Sequence, residues 1–260
     1  MTTDKYCLIT GATSGIGLEL AKLFAKDNYH LVLVARNENE LRKTAAMLGG
    51  EKVTIIAKDL FVRESAFELY DEVRSMGIDI DILVNDAGQG QYGEFIGTDI
   101  GRELDIIQLN VISLVVLTKK FLRDMVAKGS GKILNLSSIA SKTPGPLQSI
   151  YHGTKAFVQS FTEAIREEVR DKGVTVTALL PGATATDFFN KAGMLEAKNI
   201  KEGKLADAAV VAKDGYEALM NGGDKVVSGF KNKVTVAMSN FMPDSMVAEK
   251  VHEEQSPSEK

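Results

Sequence analysis

Short apolar runs rich in β-branched residues recur along the chain, and most are followed by a stretch whose apolar residues keep helical spacing. The runs are residues 7–10, 31–34, 53–57, 80–84, 132–136 and 174–179, with a weaker one at 225–228. Most are nearly continuous rather than alternating, the pattern of strands covered on both faces. Between them, Ile16, Leu20, Leu23 and Phe24 share one helical face, as do Leu41, Ala45 and Leu48, and Ala66, Leu69, Tyr70 and Val73. Phe157, Phe161, Ala164, Ile165 and Val169 form a further stripe, stopped after Lys172 by Gly173, and Leu205, Ala209, Ala212, Tyr216 and Leu219 a late one. Strands alternating with helices imply right-handed βαβ crossovers and a doubly wound parallel sheet, an α/β fold. No Pro/Ser-rich linker divides the chain, so residues 1–254 are expected to form a single domain, with polar residues 255–260 a frayed tail.

Composition narrows the class. Of 260 residues, 44% are hydrophobic and 25% charged, which excludes a disordered chain. A single Cys cannot close an internal disulfide. No apolar run reaches the roughly 20 residues of a membrane span, and the N-terminal residues do not read as a signal peptide. The expected location is cytoplasmic. A net charge of −4 argues against nucleic acid as partner. The three His have no metal-ligand spacing. Cys7, inside the first run, reads as a small core hydrophobe.

The first run ends in Thr10-Gly11-Ala12-Thr13-Ser14-Gly15-Ile16-Gly17, directly before a helix. Gly11 permits a tight turn, Gly15 a close approach of backbone to a pyrophosphate, and Gly17 close packing of helix on sheet. The helix N-terminus then presents free N–H groups to an anion. Glycines alone are a weak signal; their strand–turn–helix setting makes this turn a dinucleotide site. After the second run comes Ala35-Arg36-Asn37, where a carboxylate would bind a ribose 2′-hydroxyl. An Arg there suits a 2′-phosphate, which favours NADP(H) over NAD(H); the bland alternative is a solvated loop charge.

Tyr151 and Lys155 stand one turn apart on a helix face. A nearby ammonium and an oxidised nicotinamide would both favour phenolate, preparing Tyr151 to exchange a proton near neutral pH. Alone, this spacing is common. Ser137-Ser138 ends the run at 132–136, where hydroxyls face the ligand crevice of a parallel sheet. Asn110 is a polar residue in an apolar helix read over 104–125; it either holds a kinked backbone or holds a water that reaches Lys155.

Together these residues resemble the short-chain dehydrogenase/reductase family, over about residues 5–190. The resemblance implies a Rossmann-like single domain. It carries the cofactor turn onto Gly11, Thr13, Ser14, Gly15, Ile16 and Gly17, with Arg36 and Asn37 beyond the second strand. It matches the adenine-contacting aspartate to Asp59, followed by Leu60, and the family's Asn-Asn-Ala-Gly to Asn85-Asp86-Ala87-Gly88. Asp86 is the departure, an acceptor where the family has an amide. Catalytic Asn, Ser, Tyr and Lys fall on Asn110, Ser138, Tyr151 and Lys155, the family's spacing choosing Ser138 over Ser137. Tyr151 and Lys155 also bind cofactor, and Pro181, Gly182 and Thr186 match the turn that holds the nicotinamide.

The implied activity is hydride transfer between NADP(H) and a carbonyl or secondary alcohol. Tyr151 would be the acid/base, Ser138 the hydrogen-bond donor to the reacting oxygen, and Lys155 the phenol's activator. Residues 89–92, 139–147 and the stretch after Thr186 would border the substrate. Phe188, Phe189, Met194 and Leu195 in that stretch form either an apolar lid or a satellite core. The substrate is thus expected to be a small, apolar carbonyl compound or alcohol. The excess apolar residues of the 104–125 helix imply a homodimer or homotetramer, as in relatives. The competing reading is a non-catalytic NADP(H)-binding redox sensor, which would not need Asn110, Ser138, Tyr151 and Lys155 together.

Overall fold

The computed structural model describes residues 4–239 and 241–258. Seven strands form one parallel sheet in the order β3-β2-β1-β4-β5-β6-β7. They are β1 (Tyr6–Thr10), β2 (His30–Ala35), β3 (Val53–Ala57), β4 (Ile80–Asn85), β5 (Gly131–Leu136), β6 (Val174–Leu180) and β7 (Lys225–Val227). Each predicted run is found, shifted by at most one residue at an end. The helices are α1 (Gly15–Lys26), α2 (Glu38–Met47), α3 (Ser65–Ser75), α4 (Ile100–Ile107), α5 (Leu114–Lys128), α6 (Ser149–Glu168), α7 (Phe188–Lys191), α8 (Lys198–Lys201), α9 (Ala208–Met220), α10 (Phe230–Ser239) and α11 (Asp244–Gln255).

Two cores explain why the strands are apolar throughout. Leu8, Val32, Val34, Leu83, Ile133 and Val176 pack under α3, α5 and α6, whose Leu69, Phe121 and Ile165 complete that layer. Alternate strand residues Cys7, Ile9, Leu31, Leu33, Val84, Leu134 and Leu179 face α1, α2 and α9 through Phe24, Leu41 and Val211. A smaller third cluster of Phe189, Ala192, Met194, Ala197 and Ile200 lies in the segment after β6. The chain runs β1 to β3 toward one edge and β4 to β7 toward the other, so the strand order reverses between β1 and β4. Their carboxyl ends open a crevice there, the place where such sheets bind ligands.

Three expectations are corrected. The helix read over 104–125 is interrupted by a π-helical turn, Gln108–Ser113, between α4 and α5. The extra residue per turn swings Asn110 onto the loop after β4. Second, the buried face of α6 is only partly the Phe157 stripe: Ile165 and Val169 are in the core, but Phe157 is not. Phe157 is 44% exposed and stacks on Phe161, while His152, Thr154, Lys155, Gln159 and Thr162 are buried alongside Val158 and Ile165. The sheet beneath presents polar groups, and α6 answers them: Asn135 Nδ2 donates to Thr162 Oγ1 at 3.0 Å. The same helix ends at Glu168, before Gly173, whose left-handed backbone is demanded by a carbonyl of Gly129 where a Cβ would stand.

Third, residues 255–258 are docked rather than frayed. Gln255 is buried, Lys198 N donates to the Ser256 carbonyl, Ser258 N donates to the Glu196 carbonyl, and Pro257 bridges Ala197. Residues 259–260 lie outside the described residues. Backbone pairing to the α8 segment supplies what composition could not show.

Phe24 is fully buried, with Tyr29 and Tyr216 edge-on at 5.3 Å and 4.9 Å. Phe24→Ala should cost about 3–5 kcal/mol of stability. Urea unfolding measures this, and a loss below roughly 1 kcal/mol would contradict a tightly packed aromatic triad.

Candidate active site

One cavity of about 620 Å³ occupies the crevice. At one end lies the glycine turn. The Thr10 hydroxyl accepts from the backbone N–H groups of Asp86 and Ala87, each at 3.1 Å, and so ties the end of β1 to the end of β4. Gly11 (φ +73°) and Gly15 (φ +56°) turn the chain into α1. A Cβ on Gly15 would stand 2.8 Å from the Thr186 methyl. Ser14 precedes α1 without capping it by its side chain, and no acid sits in the first turn. The helix end therefore offers unpaired N–H groups and a positive dipole end to an anion. The glycine floor, the helix end behind it and a cavity of about 620 Å³ fit a nicotinamide dinucleotide.

Toward the end of β2, Arg36 is exposed and lies 5.0 Å over the Phe61 ring, with Arg102 at 5.1 Å from the same ring. Phe61 thus contacts two guanidinium groups. Asn37 caps α2, its Oδ1 accepting from Asn39 N and Glu40 N at 3.0 Å and 3.2 Å. Asp59 and Leu60 line the cavity beside Lys58.

At the other end the candidate catalytic groups converge. Ser138 caps a short 3-10 turn by accepting from Ala140 N at 3.1 Å and donates to the Pro181 carbonyl at 3.3 Å. Ser137 instead donates to the Lys155 carbonyl at 2.8 Å, bracing α6. Burial pushes the Tyr151 phenol up to about 12, a rise moderated by a hydrogen bond with Ser138. Burial pushes the Lys155 ammonium down to about 8, opposed by the charge of Asp86. The Lys155 Nζ donates to the Leu136 carbonyl at 2.8 Å and stands 5.7 Å from the Tyr151 ring centre. The expected lowering of the phenol by Lys155 is therefore absent from this resting geometry: desolvation outweighs an ammonium turned toward a carbonyl.

Asn110 Oδ1 accepts from Gln89 N at 2.9 Å, and its Nδ2 donates to the Gln89 carbonyl at 2.9 Å and to Thr154 Oγ1 at 3.1 Å. A Cβ on Gly88 would lie 3.3 Å from both Asn110 Oδ1 and Lys155 Nζ, so the two side chains are neighbours. Of the residues singled out from sequence, Gly11, Thr13, Ser14, Gly15, Ile16, Arg36, Asn37, Asp59, Leu60, Ala87, Gly88, Ser138, Tyr151, Lys155, Pro181, Gly182 and Thr186 line the cavity. Gly17, Asn85 and Asn110 stand behind its wall. Asn85 is an internal brace, donating to Thr118 Oγ1 at 3.0 Å and Asn135 Oδ1 at 2.8 Å.

Several lining residues were not foreseen. Lys142 and Thr143 belong to the expected 139–147 border, but Gln148 just beyond it is new, as are Thr235, Val236, Val251, Glu254 and Gln255 from α10 and α11. His152, next to Tyr151 in the chain, also lines the cavity. Only the fold-back of the C-terminal helices brings the distant ones there. Phe188 packs 5.0 Å from the Tyr151 ring, whereas Phe189 and Met194 belong to the third core and Leu195 is exposed. Phe189 and Met194 line the cavity as well, so the stretch after Thr186 is both a satellite core and a wall of the site.

Residues 5–196 match the family described as short chain dehydrogenase, and the chain belongs to it. These are oxidoreductases that work with a nicotinamide cofactor. The chain is 32% identical over 188 residues to the very-long-chain 3-oxoacyl-CoA reductase of Rattus norvegicus, covering 70% of this chain and 60% of that protein. It is 33% identical over 215 residues to the 3-oxoacyl-[acyl-carrier-protein] reductase FabG of Haemophilus influenzae, covering 80% and 88%. A short-chain dehydrogenase from Sphingobium yanoikuyae, solved in complex with NADPH, superposes with a TM-score of 0.81 at 28% identity, covering 92% of this chain and 94% of that one.

Asp86 makes the site's clearest pH prediction. Its carboxylate lies against the glycine turn, since a Cβ on Gly11 or Gly17 would stand 2.9 Å or 2.5 Å from Oδ2. Burial raises it to about 7, against the lowering influences of Lys155 and the Gly17 N–H. The unfolded carboxyl ionises near 4. Between those values the folded state holds a proton that the unfolded state has lost. Its stabilising contribution is therefore complete at low pH and disappears as pH rises through 7. Asp86→Asn should gain on the wild type between pH 4 and pH 8 by roughly 1–3 kcal/mol. Urea midpoints at the two pH values read this directly; an unchanged difference would show that the carboxyl is not held protonated.

Proposed function

We propose that this chain is an NADP(H)-dependent carbonyl reductase in which Tyr151 exchanges the proton with the reacting oxygen. The observation that carries this reading is the meeting of Tyr151, Ser138 and Lys155 at one end of a cavity whose other end is the glycine turn. When bound, the cofactor supplies the hydride and, once oxidised, a positive ring charge that favours phenolate.

Ser138 holds the carbonyl oxygen beside the Tyr151 phenol and stabilises charge developing on it. Tyr151 delivers its proton to that oxygen. Lys155, which donates to the Leu136 carbonyl, would also hold the cofactor's ribose, and its charge would stabilise the phenolate left on Tyr151 when the proton is transferred. Asn110 fixes the loop at Gln89 and stands next to Lys155, placed to hold a water that returns the proton from solvent. Phe188 and the closed glycine floor exclude bulk water from the reacting edge. Asn85 and Gly17 contribute to the cofactor site through packing behind the wall rather than by contact.

Arg36 supports NADP(H) rather than NAD(H), because an exposed guanidinium stands where a ribose-binding carboxylate would be. Names of relatives as 3-oxoacyl reductases point to a ketone close to a second carbonyl. The chain spans about 60% of the length of the first of them, so their substrate is carried over here as part of the proposal. Among the described residues no helix is long and apolar enough to cross a membrane. The proposal includes a cytoplasmic enzyme and a homodimer or homotetramer built on exposed Leu104, Ile112 and Phe157.

NADPH consumption over a panel of ketones and aldehydes tests the reading. Tyr151→Phe should lower kcat by about 10²–10⁴-fold while NADPH fluorescence still reports binding. Retained turnover at saturating cofactor would remove Tyr151 from the proton step. Arg36→Asp should move the ratio of kcat/KM for NADPH over NADH down by about tenfold or more. An unchanged ratio would show that Arg36 does not read the 2′-phosphate.

A further inference from the structure

Two buried carboxamides beside Tyr151 carry polar atoms that no protein group answers. Gln148 is 5% exposed and Gln255 6% exposed, and both line the cavity. Among the described residues, Gln148 Nε2 and Gln255 Oε1 have no hydrogen-bond partner. Burying such atoms unpaired is costly, so their survival in a cavity wall calls for a ligand.

Their orientation is fixed by neighbours. His152 stands one turn after Gln148 on α6, and its Nδ1 lies 2.9 Å from the Thr143 carbonyl. A carbonyl only accepts, so Nδ1 carries the proton and Nε2 is left as an acceptor. Burial lowers the imidazole's affinity for a second proton, against the Thr143 and Ala140 carbonyls, which keeps this neutral form. Gln255 Nε2 lies 3.3 Å from His152 Nε2 and must be the donor of that pair. The Gln255 amide oxygen is thereby turned away from His152. Tyr92 clamps the same residue by donating from its hydroxyl to the Gln255 carbonyl at 2.5 Å.

Gln148 is held just as firmly. Leu147 before it adopts a left-handed backbone (φ +66°), a strained state for a residue with a side chain, and its carbonyl accepts from Gly93 N at 2.9 Å. A Cβ on Gly90 would stand 3.4 Å from both Gln148 Nε2 and the Cδ2 edge of the Tyr151 ring, so the amide donor and that ring edge flank the same glycine.

We propose that Gln148 and Gln255 form a polar subsite for a neutral group of the substrate that both accepts and donates a hydrogen bond, an amide in particular, next to the carbonyl being reduced. Gln148 Nε2 donates to the amide oxygen, and Gln255 Oε1 accepts from the amide N–H. The C-terminal helix α11 is then a specificity element, since it delivers the acceptor. This inference rests on the reductase reading above and names the substrate chemistry within it.

The test uses a matched pair of probes, N-butyl-3-oxobutanamide and butyl 3-oxobutanoate. They share the ketone and the second carbonyl and differ by an N–H against an ester oxygen. Calorimetric titration of the NADP⁺-loaded protein should show the amide binding at least about tenfold more tightly than the ester. With NADPH the ratio of kcat/KM should favour the amide by a similar factor. Gln255→Leu should bring both ratios near one. Gln148→Leu should weaken both probes together and leave the ratio in place, because both carry the carbonyl that Gln148 serves.

A wild-type ratio near one overturns the subsite, and is the result expected if a water alone occupies the space between the two amides. That result with both probes turned over leaves the reductase reading intact. Selective binding without turnover supports the subsite and sinks the reductase reading. If neither probe binds or reacts, both readings fail. The wild-type ratio decides the question even if a variant fails to fold.

Discussion

The structure depends on one constraint, the divergence of the chain on either side of β1 and β4. A parallel sheet that winds both ways leaves a gap above the two strand ends, and the gap must be held open against collapse. Thr10 does this with one hydroxyl, accepting from two successive backbone N–H groups at the end of β4. The same residue begins the turn that carries the chain into α1. A single side chain therefore fixes both the width of the crevice and the direction of the helix end that faces it. The left-handed backbone of Gly11 and the close approach at Gly15 follow from that geometry rather than from the ligand alone.

Within the crevice, three ionisable groups sit in one weakly solvated cluster. Asp86 is pushed up to about 7, Lys155 down to about 8 and Tyr151 up to about 12. Each is driven by burial toward its neutral form, and the opposite charges of Asp86 and Lys155 only partly offset this. Such a cluster has little charge of its own to spare. It responds strongly to charge brought by a ligand, because nearby water screens little of it. The resting pKa of Tyr151 is thus a property of the protein alone, and its working value belongs to the complex.

The sheet was legible in the sequence because strands covered on both faces leave continuous apolar runs, and residues 53–57 were read without error. The glycine turn and the Tyr151–Lys155 pair were legible because their spacing is local. What escaped the sequence depends on contacts between distant segments. The π turn at Gln108–Ser113 leaves no mark in an apolar helix whose residues suit either winding. The tail at 255–258 is polar because it pairs through backbone, and composition sees only the side chains. Gln148 and Gln255 lie 107 positions apart in the numbering and meet one cavity only because α11 folds back. Asn85, read as a cofactor contact, turned inward because β5 offers it Asn135 and α5 offers Thr118.

The misreading of α6 has a physical lesson about how a site is built into a core. An amphipathic helix ordinarily turns its most apolar stripe to the sheet. Here Phe157 lies outward and Phe161 is only half-buried, while the inner face carries His152, Lys155, Gln159 and Thr162 beside Val158 and Ile165. Burying that face is tolerable only if its polar groups are answered. Ser137 donates to the Lys155 carbonyl, Lys155 donates to the Leu136 carbonyl, Asn135 donates to Thr162, and Asn110 donates to Thr154. These partners lie on β5, on Ser137 just after it, or on the π turn. Much of the polar face is therefore matched to hydrogen-bonding groups on elements that are otherwise apolar. Loss of one partner leaves the other buried and unpaired, so the network fixes the rotation of α6 about its axis. That rotation sets where Tyr151 points, and the catalytic geometry is in this sense a consequence of satisfying buried hydrogen bonds a full helix turn away.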